Sequence, residues 1–305
     1  MRSWNGRYGV FREGFPASRV LANEPLSKHT TFRVGGPADL VFFPRDIKDT
    51  LEALEICGRD KLPHMVMGGG SNILFRDKGF RGVVINFAQG MDHIALNNNQ
   101  ITAGCGVSLS RLAGFLADRG LDGFAFAAGI PGTLGGAVYM NAGAYGAEMK
   151  DVTVSVKAID EKGLIKIIPA SGLCFGYRNS IFQKNPYIII EAVLDFCPGD
   201  PIEIRRHMKE LNNRRRESQP LEWPSGGSVF KRPVTGYAGR LIEESGLKGY
   251  SIGGAQVSEK HCGFIINKGN AAARDIMELI SHIQETVRIK TGVALETEIR
   301  IAGEE

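Results

Sequence analysis

Apolar residues recur at helical spacing in five segments of the chain. In the last of these segments Ile276, Ile280 and Ile283 share one face, and Gly292 follows as a typical stop signal. The third of these helical segments begins with Pro201, and proline is favoured at the first position of a helix. The pattern predicts helices over residues 46–57, 108–119, 201–216, 236–245 and 274–291.

Short apolar runs that are rich in β-branched and aromatic residues lie between these segments and are typical of strands. They cover residues 38–43, 65–67, 82–86, 100–103, 152–159, 165–168, 187–196, 263–267 and 296–301. Strands dominate the first two hundred residues, in which only two of the predicted helices fall. Because strands and helices do not alternate there as in a doubly wound sheet, the order predicts an α+β fold.

A turn-rich break at residues 197–201 precedes the long basic helix and is the best candidate for a domain boundary. A chain of 305 residues is long for one domain and suits two or three. We therefore expect one domain over residues 1–200 and a second over residues 201–305.

The composition narrows the class of protein. Hydrophobic residues make up 43% and charged residues 23%, as in an ordinary globular enzyme. The net charge of +4 is too small to indicate nucleic-acid binding, although it suits a phosphate-bearing small ligand. The five cysteines form no CxxC pair and the scattered histidines show no metal-ligand spacing, so we expect neither disulfides nor a metal site.

Two further features bear on where the protein works. Residues 1–12 carry charge and glycine but lack the apolar core of a signal peptide. No stretch approaches the 18 uninterrupted apolar residues that indicate a membrane-spanning helix. Together with an odd number of cysteines, which fits a reducing compartment, these features predict a cytoplasmic protein with no membrane partner.

Glycine is unusually frequent, at 39 residues, and two glycine-rich segments stand out. The first is Gly68-Gly69-Gly70-Ser71-Asn72, and the second covers residues 129–136 and continues over 141–146. Consecutive glycines let backbone N–H groups converge on an anion such as a pyrophosphate, because no Cβ stands in the way. Either segment alone is as well explained by a tight turn. The presence of both, with Ser and Asn among the glycines, indicates a ligand site.

Neither segment matches a common nucleotide-binding motif. Both lack the GxxxxGK[ST] pattern, and neither is a GxGxxG turn that opens a helix after a strand; residues 73–75 read as extended chain. A doubly wound dinucleotide site is therefore disfavoured. A third segment, residues 30–37, offers two hydroxyls, the cation Arg33 and a glycine pair, although alone it reads as a strand and turn with an exposed arginine.

These three segments resemble the UDP-N-acetylenolpyruvoylglucosamine reductase family. The matches run in order from about residue 28 to residue 301, and their co-occurrence is more specific than any single motif. Beyond the three segments, the matching motifs cover residues 175–180, 227–231, 246–250, 253–258 and 295–300. Only about 50 residues separate Arg178 from Ser228, which resembles the shorter branch of the family, without its extra substrate-covering loop.

The resemblance implies an enzyme that uses FAD to reduce the enolpyruvyl ether of a UDP-sugar in peptidoglycan precursor synthesis, with NADPH as the hydride donor. It implies that residues 1–200 form an FAD-binding domain of the vanillyl-alcohol oxidase and p-cresol methylhydroxylase type. That domain would comprise two α+β subdomains divided near residues 80–90. Residues 201–305 would form an α+β substrate-binding domain.

The flavin-binding residues implied by the resemblance lie in the three segments. They are Arg33, Gly68, Gly69, Gly70, Ser71, Asn72, Gly129, Pro131, Gly132, Thr133, Gly135, Gly136, Asn141, Ala142 and Gly143. Some relatives hold FAD covalently through a His or Cys near their glycine loops. Here Ser71 and Asn72 follow the first loop, and Cys105 reads as a small buried residue, so we expect FAD to be bound non-covalently.

The reaction of the family needs an enolate stabiliser and a proton donor. Arg178, within Phe-Gly-Tyr-Arg-Asn-Ser, supplies a permanent forked cation for the carboxylate side. Ser228 matches the family's proton donor and Glu298 its catalytic carboxyl. Glu296 is the alternative carboxyl, because it lies two residues earlier on the same face of the predicted strand. Without the resemblance these residues read as a surface cation, a turn serine and two solvent-facing carboxylates.

Substrate contacts are implied at four further positions, which are Tyr177, Arg214, Lys231 and Gln256. Tyr177 reads equally as a core residue or as a wall of the site. Arg214 ends a basic helix, where cations are favourable in any case. Arg232 departs from the asparagine that is more usual in the family after the Phe-Lys pair, which puts one substrate contact in doubt.

Two other functions remain open from the residues. One is another FAD-dependent sugar or alcohol oxidoreductase of the same superfamily, which would not share the motifs at residues 228–231 and 298. The other is a basic nucleotide- or RNA-binding protein that uses residues 214–216, but the predicted helix there lacks interleaved aromatic residues. The sequence does not determine the oligomeric state, and a monomer is the default.

Overall fold

The computed structural model describes residues 8–16 and 19–305, except for the side chain of Arg12. The expectation of no signal peptide over residues 1–12 therefore lies partly outside the described residues. The described chain forms two compact units. The first comprises residues 8–16, 19–22, 40–69 and 82–215, and the second comprises residues 23–39, 70–81 and 216–305.

The described elements are seven helices and nineteen strands, many of them short. The helices are α1 (Gly9–Gly14), α2 (Ile47–Arg59), α3 (Leu109–Ala117), α4 (Leu134–Met140), α5 (Pro201–Ser218), α6 (Ala238–Glu244) and α7 (Ala273–Thr291). The first ten strands are β1 (Val20–Pro25), β2 (Pro37–Phe42), β3 (His64–Met67), β4 (Ile73–Phe75), β5 (Phe80–Asn86), β6 (Ile94–Asn97), β7 (Gln100–Gly104), β8 (Leu121–Asp122), β9 (Gly143–Ala144) and β10 (Ala147–Glu148). The others are β11 (Thr153–Ile159), β12 (Ile165–Pro169), β13 (Ile188–Asp195), β14 (Cys197–Pro198), β15 (Ser225–Ser228), β16 (Ser251–Ile252), β17 (Ala255–Val257), β18 (Phe264–Asn267) and β19 (Arg300–Ala302).

The first unit is built around a five-stranded antiparallel sheet in the order β12-β11-β13-β7-β6. The buried faces of α2 and α3, with Ala53, Ile56, Leu109 and Leu112, contribute to the same hydrophobic core as this sheet. Strand β3 pairs in parallel with β5 within a four-stranded sheet. This pairing fixes the end of β3, from which the first glycine segment leaves.

The second unit has its own core and a four-stranded sheet in the order β15-β18-β17-β16. Helix α7 packs its apolar stripe, which includes Ile276, Ile280 and Ile283, into this core. The last strand, β19, pairs in parallel with β4, which belongs to an early part of the chain. The second unit is thus assembled from three separate stretches of sequence.

The five predicted helices are confirmed, with end residues that act as predicted. The side chain of Asp46 caps α2 by accepting a 2.8 Å hydrogen bond from the Asp49 N–H. The Ser108 hydroxyl caps α3 by accepting a 3.3 Å hydrogen bond from the Arg111 N–H. Gly292 ends α7 in the left-handed conformation, at φ 73°, which glycine adopts without steric cost.

Two expectations about secondary structure are wrong. The predicted strand over residues 296–301 is a regular strand only from Arg300, because Thr297 instead forms an isolated antiparallel bridge with Phe230. The second glycine segment, in which no helix was expected, opens the short helix α4. Its Leu-Gly-Gly start has a low intrinsic helix propensity, so tertiary contacts must hold it.

The first unit continues through most of α5 instead of ending near residue 200. Helix α5 belongs to this unit because Met208 packs against the hydrophobic core of the first unit. The assignment of flavin binding to residues 1–200 and substrate binding to residues 201–305 stays a prediction.

Candidate active site

Within the first unit, the two glycine segments touch each other through bare backbone. A Cβ added to Gly68 would lie 2.1 Å from Oγ1 of Thr133, and a Cβ added to Gly69 would lie 3.1 Å from Cα of Gly132. The contact at Gly68 is closer than real side chains show, and the contact at Gly69 is tighter than most of them, so glycine at both positions lets the segments approach closely. The Thr133 hydroxyl is buried and has no hydrogen-bond partner among the described residues. Buried polar groups are normally hydrogen-bonded, so this hydroxyl is a candidate contact for a ligand oxygen.

Helix α4 starts inside the second glycine segment and is anchored by the preceding loop. The N–H of Leu134 donates to the carbonyl of Val107 at 2.8 Å, and the N–H of Gly135 donates to that of Cys105 at 2.9 Å. A Cβ on Gly135 would lie 2.8 Å from Cβ of Cys105, so this glycine serves packing. Gly136 is exposed, and only Thr133 Oγ1, at 3.8 Å, lies near its missing side chain. Backbone beside Gly136 is therefore open to a ligand.

Cys105 is buried, as the sequence indicated, and burial raises the pKa of its thiol far above the usual range. A thiol of this kind stays protonated and unreactive. The structure therefore gives Cys105 a packing role beside the second glycine segment.

In the second unit, the first glycine segment continues against the Thr30–Arg33 turn. A Cβ on Gly70 would lie 2.0 Å from the carbonyl oxygen of His29, and Gly70 has a positive φ of 64°. The N–H of Thr31 donates to the Gly70 carbonyl at 3.1 Å. The Thr31 hydroxyl is buried and has no partner in the part of the chain that the structure describes. Arg33 is exposed and left-handed, at φ 54°. The predicted third segment therefore meets the first one.

The predicted enolate stabiliser, Arg178, sits on a tight turn in the first unit. Gly176 and Asn179 pair across this turn, and Arg178 itself is left-handed, at φ 52°. Its Nη2 donates to the carbonyl of Gly143 at 3.2 Å, and its guanidinium carbon lies 5.2 Å from the centre of the Tyr177 ring. Non-glycine residues in this conformation are uncommon and often mark functional turns. Two predicted site residues, Arg178 and Gly143, are thus in direct contact.

A fully buried amide, that of Asn141, ties this turn to the end of α4. Its Nδ2 donates to Oε2 of Glu148 and to the carbonyl of Gly176, both at 2.9 Å, while its Oδ1 accepts from the N–H of Lys150. Asn141 was predicted to bind the cofactor, but both of its amide hydrogens are used inside the protein. The structure therefore gives its side chain a role in holding the turn that carries Arg178.

Glu148 completes this arrangement. Burial alone would raise the pKa of Glu148, but hydrogen bonds from Lys150 and Asn141, and the charges of Lys150 and Arg178, outweigh burial and lower the pKa below its ordinary value. The carboxylate therefore stays ionised and orients the Asn141 amide. Nothing in the sequence singled out Glu148, because a lone Glu after a glycine-rich turn has many ordinary explanations.

In the second unit the structure brings Ser228 and Glu298 to neighbouring backbone. Ser228 ends β15, and the N–H of Glu298 donates a 2.7 Å hydrogen bond to the carbonyl of the next residue, Val229. Asn72 joins them, since its Nδ2 donates to the Glu298 carbonyl at 3.1 Å. Gly227 has a positive φ of 77°, and the strand pairing is irregular between Ser225 and Ser228. Such an irregularity turns a side chain away from regular pleating.

The two candidate catalytic carboxylates, Glu296 and Glu298, have different surroundings in the structure. Glu296 has a side chain that is 77% exposed and forms a 3.2 Å ion pair with Lys231, whereas Glu298 is only half-buried. The ion pair accounts for Glu296 and favours Glu298 as the catalytic group. The side chain of Lys231, which is predicted to contact the substrate, therefore already has a carboxylate partner in Glu296.

Three of the other predicted positions are placed as follows. Gln256 donates from Nε2 to the carbonyl of Gly249 at 3.1 Å. Arg214 is exposed and pairs with Glu210 on the same helix. Tyr177 is exposed, so it is not a core residue, and its place as a wall of the site stays a prediction. Arg232, where the family more often has Asn, lies over the ring of Tyr237 at 4.4 Å.

The remaining predicted flavin contacts lie within the segments already described. Gly129, Pro131 and Ala142 belong to the second segment and its continuation, and Ser71 lies in the first; all four are at least partly accessible. Their contact with a flavin stays a prediction.

Comparison with known proteins shows which family the chain resembles. Residues 219–302 match the model of the UDP-N-acetylenolpyruvoylglucosamine reductase C-terminal domain, and residues 38–168 match that of an FAD binding domain. The chain is 46% identical over 295 residues to the reductase of that name from Caldanaerobacter subterraneus, with 97% of this chain and 96% of the relative covered. It is 48% identical to the reductase from Clostridioides difficile, with 94% of each covered.

The chain belongs to the UDP-N-acetylenolpyruvoylglucosamine reductase family. A solved structure agrees, since the family member from Thermus caldophilus superposes with a TM-score of 0.80 at 34% identity, covering 92% of this chain and 97% of that one. The predicted α+β fold, with an FAD-binding domain followed by a second domain, is thereby confirmed.

Among residues 8–16 and 19–305, no helix is both long and apolar enough to cross a bilayer. The same part of the chain holds no group of three or more His, Cys, Asp or Glu side chains arranged for a metal ion.

Proposed function

We propose that this chain is an FAD-dependent reductase that converts UDP-N-acetylglucosamine enolpyruvate to UDP-N-acetylmuramate with NADPH as hydride donor. The observation that carries this proposal is the similarity, over nearly the whole chain, to reductases of that name. The reaction belongs to peptidoglycan precursor synthesis, and we place it in the cytoplasm. The protein would meet two small-molecule ligands, the UDP-sugar and NADPH, with no nucleic acid involved.

The residues present fit FAD in the first unit. Gly68 and Gly132 leave no Cβ between the two glycine segments, and Thr133 offers a buried hydroxyl without a protein partner. A pyrophosphate accepts hydrogen bonds from such exposed backbone and hydroxyl groups. When bound, FAD takes a hydride from NADPH and passes it to the vinyl carbon of the substrate. We propose that the attachment is non-covalent, as expected from Ser71 and Asn72.

Arg178 would stabilise the negative charge that develops on the carboxylate side of the substrate. Hydride addition to the terminal vinyl carbon leaves an electron pair delocalised into the carboxylate, and a guanidinium matches that plane with two parallel donors. The Asn141 amide and the Gly143 carbonyl hold the turn and the side chain in place before substrate arrives. Preorganised charge of this kind is often the largest single contribution to catalysis.

Ser228 would give its proton to the other carbon of the former double bond, and so complete the addition of one hydride and one proton. The enolate is a strong base, which allows a weakly acidic hydroxyl to serve. Glu298, held beside Val229 by its backbone N–H, would assist as the carboxyl that polarises the substrate or returns a proton to the serine. Tyr177, Arg214, Lys231 and Gln256 would contact the UDP-sugar.

The purified protein tests the proposal directly. We expect it to be yellow, with flavin absorption that NADPH bleaches and the enolpyruvyl UDP-sugar restores. Acid or heat should release the flavin into the supernatant. Protein that takes up no FAD would refute the proposed function as a whole. Flavin that stays on the denatured chain would refute only its non-covalent attachment, and flavin that NADPH reduces but the enolpyruvyl UDP-sugar does not reoxidise would refute the substrate.

A further inference from the structure

Arg215 lies on the inward face of helix α5. Ile204 and Leu211 are buried on this helix, and Met208 packs against the first core. Arg215 follows Leu211 by four residues, which places it on the same face of the helix. Its neighbours Arg214 and Arg216 are exposed, whereas Arg215 is partly buried. Of the three consecutive arginines at positions 214–216, Arg215 is therefore the one on the buried side of the helix.

This face of α5 meets the second glycine segment. A Cβ on Gly129 would lie 2.3 Å from Oδ1 of Asn212 and 3.1 Å from Cδ of Arg215, so the bare backbone of the segment packs directly on the stem of the arginine. Tyr145 reaches the same turns of the helix, because its hydroxyl donates a 3.0 Å hydrogen bond to the carbonyl of Leu211. Arg215 is thus placed between a glycine-rich backbone and a tyrosine.

The described part of the chain pairs no carboxylate with Arg215. Two of the three acids on the same helix are used elsewhere, since Glu203 pairs with Arg206 and Glu210 pairs with Arg214. The third acid, Glu217, is exposed. Burial lowers the pKa of the Arg215 guanidinium, and the charge interaction that opposes this is with the Tyr145 phenol. Withdrawing a cation from water without an anionic partner is unfavourable. This unfavourable placement indicates that an anion is to be bound there.

We propose that Arg215 binds a diphosphate oxygen of a ligand held along residues 129–132. The guanidinium fork suits two phosphate oxygens, and the adjacent glycine backbone brings its N–H groups to the same anion. This inference rests on the proposed function, which brings two diphosphates to the protein, one in FAD and one in the UDP-sugar. The shared chemistry is the diphosphate, and the two sources are separated by experiment.

The test compares Arg215→Met and Arg215→Lys with Arg206→Met, a control on the same helix whose arginine is 67% exposed and paired with Glu203. Two quantities are measured for each protein: the Kd of FAD for the apoprotein, from flavin fluorescence, and the inhibition constant of UDP for the holoenzyme. A charge-assisted contact predicts that Arg215→Met weakens one of the two ligands about ten- to a hundredfold. Arg215→Lys should fall in between, and Arg206→Met should match wild type.

Each outcome decides the inference. Weaker FAD with unchanged UDP inhibition assigns the diphosphate to the flavin, and the reverse assigns it to the UDP-sugar. Equal constants in Arg215→Met and wild type would overturn the inference. So would weakening of both ligands together with a lower Tm of the apoprotein, because that pattern reports a structural role. If wild type itself binds no FAD, the proposed function fails, and that failure is visible before any variant is made.

Discussion

The side-chain amide of Asn141 donates a 2.9 Å hydrogen bond to the carbonyl oxygen of Gly176, although the two residues are 35 positions apart in the chain. The bond joins the end of α4, which grows out of a glycine segment, to the turn that carries Arg178. The placement of the proposed catalytic cation is therefore set by the same structure that shapes the proposed flavin site.

Removal of this amide should slow substrate reduction without loss of the flavin. Asn141 is left-handed, at φ 43°, so Asn141→Gly deletes the side chain without straining the backbone. We expect kcat for substrate reduction to fall about tenfold or more, as when a charged group loses its orientation, while NADPH still bleaches the flavin. Asn98→Gly is the control, because Asn98 is exposed and equally left-handed, at φ 55°. A normal kcat in Asn141→Gly would show that the turn carrying Arg178 keeps its conformation without this amide.

Arg178→Lys should be nearly as damaging as Arg178→Ala. Lysine carries the same charge at one point, whereas the developing enolate presents a planar carboxylate that a guanidinium meets with two donors. The loss should appear mainly in kcat, since the contact is strongest in the transition state, and it should reach about 10²-fold or more. Steady-state kinetics of the three proteins decide the matter. A lysine variant within a few-fold of wild type would mean that charge alone suffices.

Ser228→Ala should separate the two half-reactions. NADPH should reduce the flavin at the wild-type rate because that step takes no proton from Ser228. Reoxidation by the enolpyruvyl substrate should slow by about 10²-fold or more, the usual range for loss of a general acid. Stopped-flow absorbance follows both steps. Ser251→Ala, an exposed serine on the same sheet, serves as control, and equal reoxidation rates in both variants would make Ser228 a turn residue.

Gly68→Ala should disrupt the meeting of the two glycine segments. The new Cβ would lie 2.1 Å from Thr133 Oγ1, so one segment must move, and we expect weaker FAD binding and a lower Tm. Adding Thr133→Ala should recover part of the Tm, since the nearest remaining atom is Thr133 Cβ at 3.3 Å. Gly58→Ala, a helical glycine with nothing near its missing Cβ, should raise stability by about 0.5–1 kcal/mol. Thermal melts with and without FAD measure all four effects.

His261 should make the protein less stable in mild acid. Burial lowers the pKa of this histidine below its ordinary value of 6.5, and its Nδ1 accepts a hydrogen bond from the Gly263 N–H. As pH falls from 6.5 towards the folded pKa, the unfolded chain binds a proton that the folded chain resists, so the free energy of unfolding falls over that window. His261→Asn keeps an acceptor near Nδ1 and removes the titration. Tm measured against pH should therefore fall more steeply in wild type than in His261→Asn, and parallel curves would contradict the expectation.

Much of the fold follows from local signals, because helix spacing and end residues are properties of neighbouring positions. The Asp46 cap and the Gly292 stop are examples, and both act as predicted. Helix α4 was missed because its Leu134-Gly135-Gly136 start has no local preference for a helix. It is held by carbonyls of Cys105 and Val107, whose proximity no sequence window contains.

The candidate site divides in the same way. Glycines and the Arg178 and Ser228 motifs are visible because each is confined to a short run. The roles of Asn141 and Glu148 are not visible, since they depend on a hydrogen bond to a carbonyl 35 residues away. The regular strand predicted through Glu296 and Glu298 was wrong, because Thr297 forms only an isolated bridge with Phe230, a residue far away in the sequence.

The parallel pairing of β19 with β4 has a consequence for synthesis of the protein. Arg300 pairs with Ile73 and Ala302 pairs with Phe75. The edge of β4 that forms these pairs therefore stays uncovered until β19 has been synthesised. Leu74 meanwhile belongs to a core that is supplied largely by residues after 216. A ribosome that stalls a few codons before residue 300 would leave this edge open to other extended chains. Strand β19 thus closes a strand that is translated long before it.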